Sequence, residues 1–414
     1  MSRSNAIHKG TPPNKRRKLF YNLKKILACF YAGTLTILAP LYRFVFNLSN
    51  KSSQRGGGKR IVLLVSRPQD VDLLIGLHEN ARSRENLSLY FWVTKNCARK
   101  YPEALRKLEE KNTVVDQVVN FIHLGRILNK LMRIDAFLST VESTTAKGKL
   151  PYMITRLANA ASVPTYTLQH GFENVGLSYC DEAHGPDVKF AAKTVLTWGP
   201  VNELPPWVAK ETLDKAVAVG CPSILRASDN SPKVEAGERP MIAVFDNLHW
   251  NRYNQKYVSI FLRHLEEIAE QWKDFRFVLK SHPASVRSRS RELTDRLSEI
   301  KNLDVVDMLG ERGEKLTTPW LLSHALGVIT TPSTIALDGA MAKVPVAVAR
   351  YGHDLSYYSP LYMLDKLEDW QIYLGQLTGD SEYQILKQSG ERFLSRVLVP
   401  GNPADKILNL IVRQ

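Results

Sequence analysis

The length and composition of the chain are those of a globular protein. It has 414 residues, of which 44% are hydrophobic and 23% charged, with 23 glycines and 21 prolines. These proportions exclude disordered, collagen-like and multi-span membrane classes, and the length predicts about two or three domains. The four cysteines are widely spaced, without a C-x-x-C pair, which indicates a reducing compartment rather than a disulfide framework or a zinc site.

The net charge of +15 is concentrated at the N-terminus. The first 60 residues contain 13 Lys or Arg and no acidic residue, whereas the remaining chain contains 43 basic and 41 acidic residues. No basic stripe with interleaved aromatic residues follows residue 60. We therefore expect no nucleic-acid partner.

The basic N-terminal segment has the pattern of an amphipathic helix. One face of that helix would be apolar, formed by Leu19, Phe20, Leu23, Ile26, Leu27, Phe30 and Tyr31. Lys18, Asn22 and Lys25 would line the opposite face. A basic helix with aromatic residues is typical of an anionic membrane interface, so residues 15–46 are predicted to lie on such a surface.

The same segment has other interpretations. The uncharged stretch Ile26–Tyr42 has 17 residues, at the short end for a membrane span, and Pro40 interrupts it. No small-residue cleavage site follows it, as a signal peptide requires. A helix packed on the protein's own body remains the alternative to membrane attachment. Residues 1–59 are thus a membrane-associating segment, and residues 50–59 form a Gly-rich linker.

Apolar runs alternate with helical patterns from residue 60 onwards. The predicted strands of the first half are Arg60–Val65, Leu89–Val93, Val114–Val119, Ala136–Thr140, Thr165–Gln169 and Val195–Trp198. The predicted helices between them are Val71–Ala81, Pro102–Glu109, Leu124–Met132 and Pro151–Ala161. Strands separated by helices indicate a parallel sheet, here assigned to a domain over residues 60–225.

A polar junction near residues 220–238 precedes a second alternation. Its predicted strands are Met241–Phe245, Arg276–Lys280, Leu303–Val306, Gly327–Thr330 and Pro345–Ala349. Its predicted helices are Gln255–Trp272, Ser288–Ile300, Trp320–His324 and Thr334–Ala342. This predicts a second domain over residues 239–360, followed by mostly helical residues 361–414. The fold class is α/β, with two Rossmann-like parallel-sheet domains facing a cleft.

Ligands of open parallel sheets bind beyond the carboxyl ends of the strands. In the second domain the candidate nucleotide-binding residues there are Asn247, Lys280, His282, Pro283, Ser333 and Thr334. Ser333 is placed to cap the following helix, and the helix N-terminus, His282 and Lys280 would together bind a phosphate. Taken singly, the Ser333-Thr334 pair favours an ordinary helix cap over a phosphate site, and the alternative for His282-Pro283 is a loop turn.

The candidate catalytic residues lie at strand ends of the first domain. His170 precedes Gly171, which allows a sharp turn that directs the imidazole into the cleft, although a histidine that only satisfies a turn is an equal alternative. Asp70 and Glu142 are candidate general bases, although a carboxylate at a strand end is also a common helix cap. The acidic stretch 181–187 with His184 is interpreted as a solvated loop, so no metal is predicted.

Three motifs resemble those of GT-B transferases of bacterial surface polysaccharides. They are Leu168-Gln169-His170-Gly171, Lys280-Ser281-His282-Pro283 and Thr331-Pro332-Ser333-Thr334, followed by IALD. In order and spacing they are similar to motifs of capsule Kdo transferases, HP-motif sialyltransferases and CDP-glycerol glycerophosphotransferases. The stretch 338–345 (DGAMAKVP) resembles a wider glycosyltransferase motif, E-A-M-A-x-G-x-P. Asp338 stands there in place of the Glu that contacts the donor ribose, and Lys343 replaces the usual Gly.

The resemblance implies a reaction and its partners. It implies transfer of a sugar or alditol phosphate from a cytidine nucleotide, most simply CMP-Kdo or a similar CMP-sugar, without a cofactor. His282 and the Ser/Thr motif would hold the phosphate, and either His170 or Glu142 would orient or deprotonate the acceptor. The acceptor would be a membrane-linked glycan of lipopolysaccharide or capsule synthesis. We therefore expect a peripheral protein on the cytoplasmic face of the bacterial inner membrane.

The sequence leaves two rival functions open. A sugar-nucleotide epimerase of the same architecture would bind a nucleotide but need no acceptor. A non-catalytic scaffold would keep the fold without the chemistry.

Overall fold

The structure is a computed structural model, and it contains two parallel β-sheets. It describes residues 30–44, 46, 58–120, 123–181, 185, 187–222, 239–250, 252–282, 285, 291–306 and 316–413. The first sheet has seven strands in the order β3-β2-β1-β4-β5-β6-β7, and the second has six in the order β10-β9-β8-β11-β12-β13. Two parallel-sheet α/β domains were predicted from the alternation of strands and helices, and this prediction is confirmed.

The first sheet is built from the first half of the chain. Its strands are β1 (Lys59–Val65), β2 (Leu87–Thr94), β3 (Val114–Val119), β4 (Ala136–Ser139), β5 (Thr165–Leu168), β6 (Thr194–Thr197) and β7 (Ala216–Ala218). The helices of this half are α1 (residues 30–44), α2 (Pro68–Ala81), α3 (Lys95–Lys100), α4 (Pro102–Glu110), α5 (Leu124–Leu131), α6 (Lys149–Ala160) and α7 (Lys210–Leu213).

The second sheet follows the same scheme. Its strands are β8 (Met241–Asp246), β9 (Arg276–Ser281), β10 (Leu303–Val306), β11 (Ala325–Thr330), β12 (Val346–Ala349) and β13 (Tyr362–Leu364). The helices are α8 (Gln255–Gln271), α9 (Arg291–Glu299), α10 (Thr318–His324), α11 (Ile335–Met341), α12 (Leu367–Thr378), α13 (Asp380–Val397) and α14 (Pro403–Arg413).

The central strands are apolar and fully buried, which is why they form parallel sheets. Every residue of β4, β5, β8 and β12 is buried. Parallel strands covered by helices on both faces need such continuous apolar runs rather than alternating ones. In the second half the helices contribute large side chains to the core, among them Phe261 and Trp370, which meet with ring centroids 5.6 Å apart.

The chain forms two compact units whose limits do not follow the two sheets. The first comprises the described residues up to Pro68 together with Ala81–Tyr166 and Ala191–Lys193. The second comprises Gln69–Asn80, Thr167–Phe190 and the described residues from Thr194 onwards. The segment that follows β5 therefore belongs to the second unit. The domain limits predicted above remain predictions, because the junction at residues 223–238 lies outside the described residues.

Some element limits differ from the prediction. Helix α2 begins at Pro68, three residues earlier than predicted, so Asp70 lies in its first turn rather than in a loop. Strands β7 and β13 were missed, and the tail predicted as mostly helical is helical only from Leu367. Both missed strands are three-residue edge strands that pair with a single neighbour, a contact that no local pattern reveals.

Among the described residues, the N-terminal helix α1 covers residues 30–44. Residues 15–29, which carry most of the predicted basic amphipathic pattern, lie outside the described residues. Within the described part of the chain, no helix has the length and apolar character needed to cross a membrane.

Candidate functional site

Four segments that follow strands of the two sheets are joined by hydrogen bonds within the second compact unit. They are termed the strand-end loops and comprise residues 169–173 after β5, 246–250 from the last residue of β8 onwards, 281–282 from the last residue of β9 onwards and 331–334 after β11. All four contain residues that strand-end reasoning singled out.

Asn247 and Thr331 connect the loops after β8 and β11. The Thr331 hydroxyl donates to Asn247 Oδ1 at 2.6 Å, and the Asn247 backbone N–H donates to Thr331 Oγ1 at 3.0 Å. Asn247 Nδ2 also donates to the carbonyl of Pro332 at 2.8 Å. The Asn247 side chain thus aligns the ends of two adjacent strands.

Thr334 connects the loop after β11 to the loop after β5. Its Oγ1 accepts a hydrogen bond from the Phe172 backbone N–H at 2.9 Å. Ser333 Oγ accepts from the Ile335 N–H at 3.3 Å and lies 3.1 Å from Thr330 Oγ1. Helix α11 begins at Ile335, so its N-cap is Thr334, although Ser333 supplies the capping hydroxyl.

His282 and His249 form a pair of stacked imidazoles after β9 and β8. Their ring centroids are 4.1 Å apart with an interplanar angle of 19°. The His282 backbone N–H donates to the carbonyl of Asp246 at 2.9 Å, and His249 Nδ1 lies 3.4 Å from Ser285 Oγ. His282 is exposed and His249 half-buried. Imidazole N–H groups are in general donors to anionic oxygens. Pro283 lies outside the described residues.

Lys280 and Asp338 have buried or half-buried charged groups near these loops. Lys280 is buried, its Nζ donates to the carbonyl of Leu316, and burial lowers the pKa of its ammonium group. Asp338 is half-buried on α11, where burial raises the pKa of its carboxyl group to about 7. Neither arrangement was foreseen, because desolvation depends on tertiary packing.

His170 is half-buried in the loop after β5. Its backbone N–H donates to Asn174 Oδ1 at 3.1 Å. Gly171 does not have the left-handed conformation that a sharp glycine turn would need. A Cβ at Gly171 would instead lie 3.2 Å from Thr334 Oγ1, so the glycine permits a close approach. Gln169 holds the loop by donating from Nε2 to the Gly171 carbonyl at 2.9 Å.

The two carboxylates predicted as candidate bases are both buried. Glu142, in the first compact unit, accepts hydrogen bonds from the backbone N–H groups of Ala191 and Ala192. Asp70 lies in the first turn of α2, where a carboxylate interacts favourably with the helix dipole. Both carboxylates therefore have structural surroundings that a sequence pattern does not distinguish from catalytic ones.

An ion pair that the sequence analysis missed stabilises the loop after β5. Arg252 Nη1 donates to Glu173 Oε1 at 2.8 Å, and both side chains are largely buried. The Arg252 guanidinium also lies 4.1 Å from the centre of the Tyr179 ring. Burial raises the pKa of Glu173, while the positive charge of Arg252 opposes that rise. Arg252 lies six positions after β8, and nothing in the local sequence indicates that its partner is Glu173, 79 residues earlier in the chain.

The described residues contain no group of three or more His, Cys, Asp or Glu arranged to hold a metal ion. His184, considered above with the acidic stretch, lies outside them. Within the described part of that stretch, the Asp181 carboxylate accepts a hydrogen bond from the Tyr179 hydroxyl at 2.5 Å.

Comparisons with known proteins identify the fold. No family model and no curated protein sequence matches the chain. Among solved structures it is similar to UDP-GlcNAc 2-epimerase from Neisseria meningitidis bound to UDP-GlcNAc, with 13% identity, 86% of this chain and 100% of that chain covered, and a TM-score of 0.58. It is also similar to UDP-GlcNAc 2-epimerase from Methanocaldococcus jannaschii in complex with UDP-GlcNAc and UDP. The identity is 12%, 86% of this chain and 100% of that chain are covered, and the TM-score is 0.57.

A glycosyltransferase from Rickettsia africae is about equally similar, with 10% identity, 86% of this chain and 98% of that chain covered, and a TM-score of 0.57. These likenesses extend over both parallel-sheet domains. The chain therefore has the GT-B fold. At this level of identity the fold is common to epimerases and transferases, so the activity has to be argued from the site.

Proposed function

We propose that the chain is a glycosyltransferase that uses a nucleotide-activated donor. The donor would be a cytidine nucleotide carrying a sugar or alditol phosphate, and the acceptor a membrane-linked glycan of surface polysaccharide or lipopolysaccharide synthesis. The observation that carries the proposal is the stacked His249–His282 pair at the ends of two adjacent strands. The neighbouring loops that surround it are held together by the hydrogen bonds of Asn247 and Thr334.

The histidine pair suits the donor phosphate. Ring N–H groups of His282 and His249 would donate to phosphate oxygens, and these hydrogen bonds strengthen as negative charge develops on the departing nucleotide. Ser333 and Thr334 lie one strand away, after β11, which is adjacent to β8 in the sheet. The choice of cytidine rests on the resemblance of the Lys280–Pro283 motif to HP-motif transferases.

The transfer step also needs a base for the acceptor. An acceptor hydroxyl oxygen would form a bond to the transferred carbon or phosphorus while the bond to the donor phosphate breaks, and its proton would pass to a side chain. His170 is our choice for this base, since it is half-buried and its loop is joined to Thr334. Glu142 is less suited, because its carboxylate oxygens accept backbone N–H groups of Ala191 and Ala192.

Sugar-nucleotide epimerisation is the second candidate function. It is favoured by the similarity to epimerase structures that contain UDP-GlcNAc. An epimerase would convert a UDP-sugar into its isomer without an acceptor. A transferase would release free nucleotide only when an acceptor or water takes the sugar.

The first experiment is a thermal-shift series on the full chain with CMP, CDP, UDP and GDP. A nucleotide at 100 times its Kd stabilises the folded state by about 2.7 kcal/mol, which such a measurement detects. The series is repeated on His282→Ala and on the control His324→Ala. His324 is matched because its ring is also stacked, on Trp320 at 4.2 Å, but it lies in α10, outside the strand-end loops.

We expect CMP or CDP alone to shift the transition, with the shift lost in His282→Ala and kept in His324→Ala. A shift with UDP alone, together with isomerisation of a UDP-sugar, would replace the transferase by the epimerase. A shift with GDP alone would overturn the cytidine assignment. The absence of any nucleotide shift would contradict both enzymatic functions.

A further inference from the structure

Helix α1 is attached to the first compact unit by one face. Ala32 and Ala39 are buried in the core cluster that also contains Leu124 and Leu128 of α5. Arg43 Nη1 donates to the backbone carbonyl of Met132 at 3.0 Å, just beyond the end of α5. The small alanine side chains allow the helix to lie close to this core. The helix is therefore held in a fixed orientation on its own unit.

The opposite face of α1 is apolar and exposed. It is formed by Phe30, Ile37, Leu41 and Phe44, whose exposed fractions are 72%, 79%, 62% and 62%. At 3.6 residues per turn these four side chains fall on one side of the helix, and this surface is termed the apolar face of α1. Leu38 and Tyr42 extend it, at 48% and 43% exposure. An exposed apolar patch of this kind on a globular protein marks an interaction surface.

The charge of the adjoining sequence indicates which partner covers this face. Six Lys or Arg lie between residues 15 and 25, and no acidic residue occurs before residue 60. An apolar helical surface next to a basic segment matches a bilayer with anionic headgroups, where the apolar side chains reach the acyl boundary and the cations stay among the headgroups.

We propose that the apolar face of α1 docks on an anionic lipid bilayer, with the helix axis in the plane of the interface. Because Ala32, Ala39 and Arg43 hold the helix to the first compact unit, docking places that whole unit at the membrane surface. If the proposed function holds, the docked face gives the unit access to a lipid-linked substrate. This inference concerns lipid alone and is independent of which nucleotide the strand-end loops bind.

The test is flotation of the full chain with vesicles of phosphatidylcholine, with and without about 30% phosphatidylglycerol. The face variant carries Ile37→Ser and Leu41→Ser. The control variant carries Ile372→Ser and Ile385→Ser, which are also exposed on helices, at 51% and 56%. None of the four side chains lies in a core, so all variants are expected to melt as the wild type does.

We expect the wild type and the control to bind anionic vesicles, and the face variant to bind at least tenfold more weakly. Binding to vesicles of phosphatidylcholine alone should be weak, and about 1 M salt should weaken binding to anionic vesicles. Equal binding by face and control variants would overturn the proposal. The proposal would also be overturned if the wild type does not bind vesicles but sediments as a dimer, and the face substitutions dissociate that dimer. A second copy of the chain would then cover the face.

Vesicle binding is measured without nucleotide, whereas the proposed function is tested by nucleotide shifts without lipid. Failure of one test therefore leaves the other result standing.

Discussion

The Thr334 hydroxyl oxygen accepts a hydrogen bond from the backbone N–H of Phe172 at 2.9 Å. This contact joins two motifs separated by 162 residues in the chain. The Phe172 ring stacks on Tyr357 at 4.5 Å and meets Phe393 edge-on at 5.3 Å. The loop that carries His170 is therefore held both by a polar contact on its backbone and by aromatic packing on its side chain.

The first prediction concerns this hydrogen bond. Thr334→Val keeps the shape of the side chain but leaves the buried Phe172 N–H without an acceptor, which costs about 1–3 kcal/mol. We expect faster hydrogen exchange of the Phe172 amide and a lower free energy of unfolding. Thr334→Ser retains the acceptor and should remain within about 0.5 kcal/mol of the wild type. Unchanged exchange at Phe172 in the valine variant would contradict the contact.

The second prediction concerns the buried ion pair of Arg252 and Glu173. Arg252→Met leaves an unpaired buried carboxylate, so the free energy of unfolding should fall by about 3–5 kcal/mol. The control is Arg276→Met, since Arg276 also lies 2.8 Å from a carboxylate, that of Asp304, but is more exposed. Its loss should cost under about 1 kcal/mol. If chemical denaturation shows that both variants lose the same free energy of unfolding, burial does not strengthen the ion pair of Arg252 and Glu173.

The same substitution has a pH-dependent consequence. Without Arg252, the pKa of Glu173 should rise further, because the cation that opposes the effect of burial is gone. A raised carboxyl pKa means that the folded state holds a proton that the unfolded state releases, so stability falls as the pH rises. The loss caused by Arg252→Met should therefore be smaller near pH 5 than near pH 8. The opposite order in denaturation curves at the two pH values would contradict this assignment.

The third prediction concerns Asp338, whose pKa is raised by burial to about 7 from a usual value of 3.8. Between these two values the unfolded chain releases a proton that the folded chain keeps. The Asp338 contribution to stability is therefore complete below about pH 4 and lost as the pH rises through 7. Relative to Asp338→Asn, the wild type should lose about 2 kcal/mol between pH 5 and pH 8.

The measurement is urea denaturation of both proteins across this range. Asp369→Asn serves as the control, because the Asp369 carboxylate caps α12 and accepts from the Lys366 N–H at 3.0 Å. Its removal should lower the free energy of unfolding through loss of the cap. A flat difference between wild type and Asp338→Asn would mean that the carboxyl group titrates normally.

The fourth prediction concerns Lys343, which has the left-handed conformation with a φ of 58° just after α11. Its N–H donates to the carbonyl of Ala340 at 3.0 Å, in the manner of a helix C-terminus that favours glycine. Lys343→Gly should therefore raise the free energy of unfolding by about 1 kcal/mol, because relief of the left-handed strain exceeds the entropy that glycine adds to the unfolded chain. Lys343→Ala keeps the Cβ and should give no gain. If thermal melts show the alanine variant to be more stable than the glycine variant, the backbone at position 343 is not strained.

The structure also explains why glycine is the usual residue at this position of the resembling motif. Lys343 stands where related motifs have glycine, and its left-handed backbone is the reason that glycine suits this position. Gly339 in the same stretch has a different role. A Cβ there would lie 2.8 Å from Val346 Cγ2, so the glycine lets α11 pack closely on β12.

The fold was accessible from sequence because its signals are local. Apolar runs such as Met241–Phe245 and the helical pattern of Gln255–Trp272 indicate their element types without knowledge of any partner. Parallel order then follows from their alternation. The two three-residue strands β7 and β13 were not accessible, since they are defined by pairing with a neighbour.

The site was accessible only in part. Residues after strands were identified because all strands of a parallel sheet end at the same edge, which applies to Asn247, His282 and Thr334. His249 and Arg252 were missed, although both follow β8 within six residues. His249 stacks on the His282 imidazole after β9, and Arg252 pairs with the Glu173 carboxylate after β5. Both partners are distant in the chain, so local spacing does not predict these contacts.

The α/β class, the order of the elements and the segments that carry polar residues at strand ends follow from the amino-acid sequence alone, because each depends on residues close together in the chain. Three features required the folded chain: which of those polar residues meet, the raised pKa of Asp338, and the attachment of α1 by Ala32 and Ala39 with Ile37 and Leu41 exposed. Hydrogen bonding, desolvation and exposure depend on neighbours brought together by folding, and a single chain pattern does not specify those neighbours.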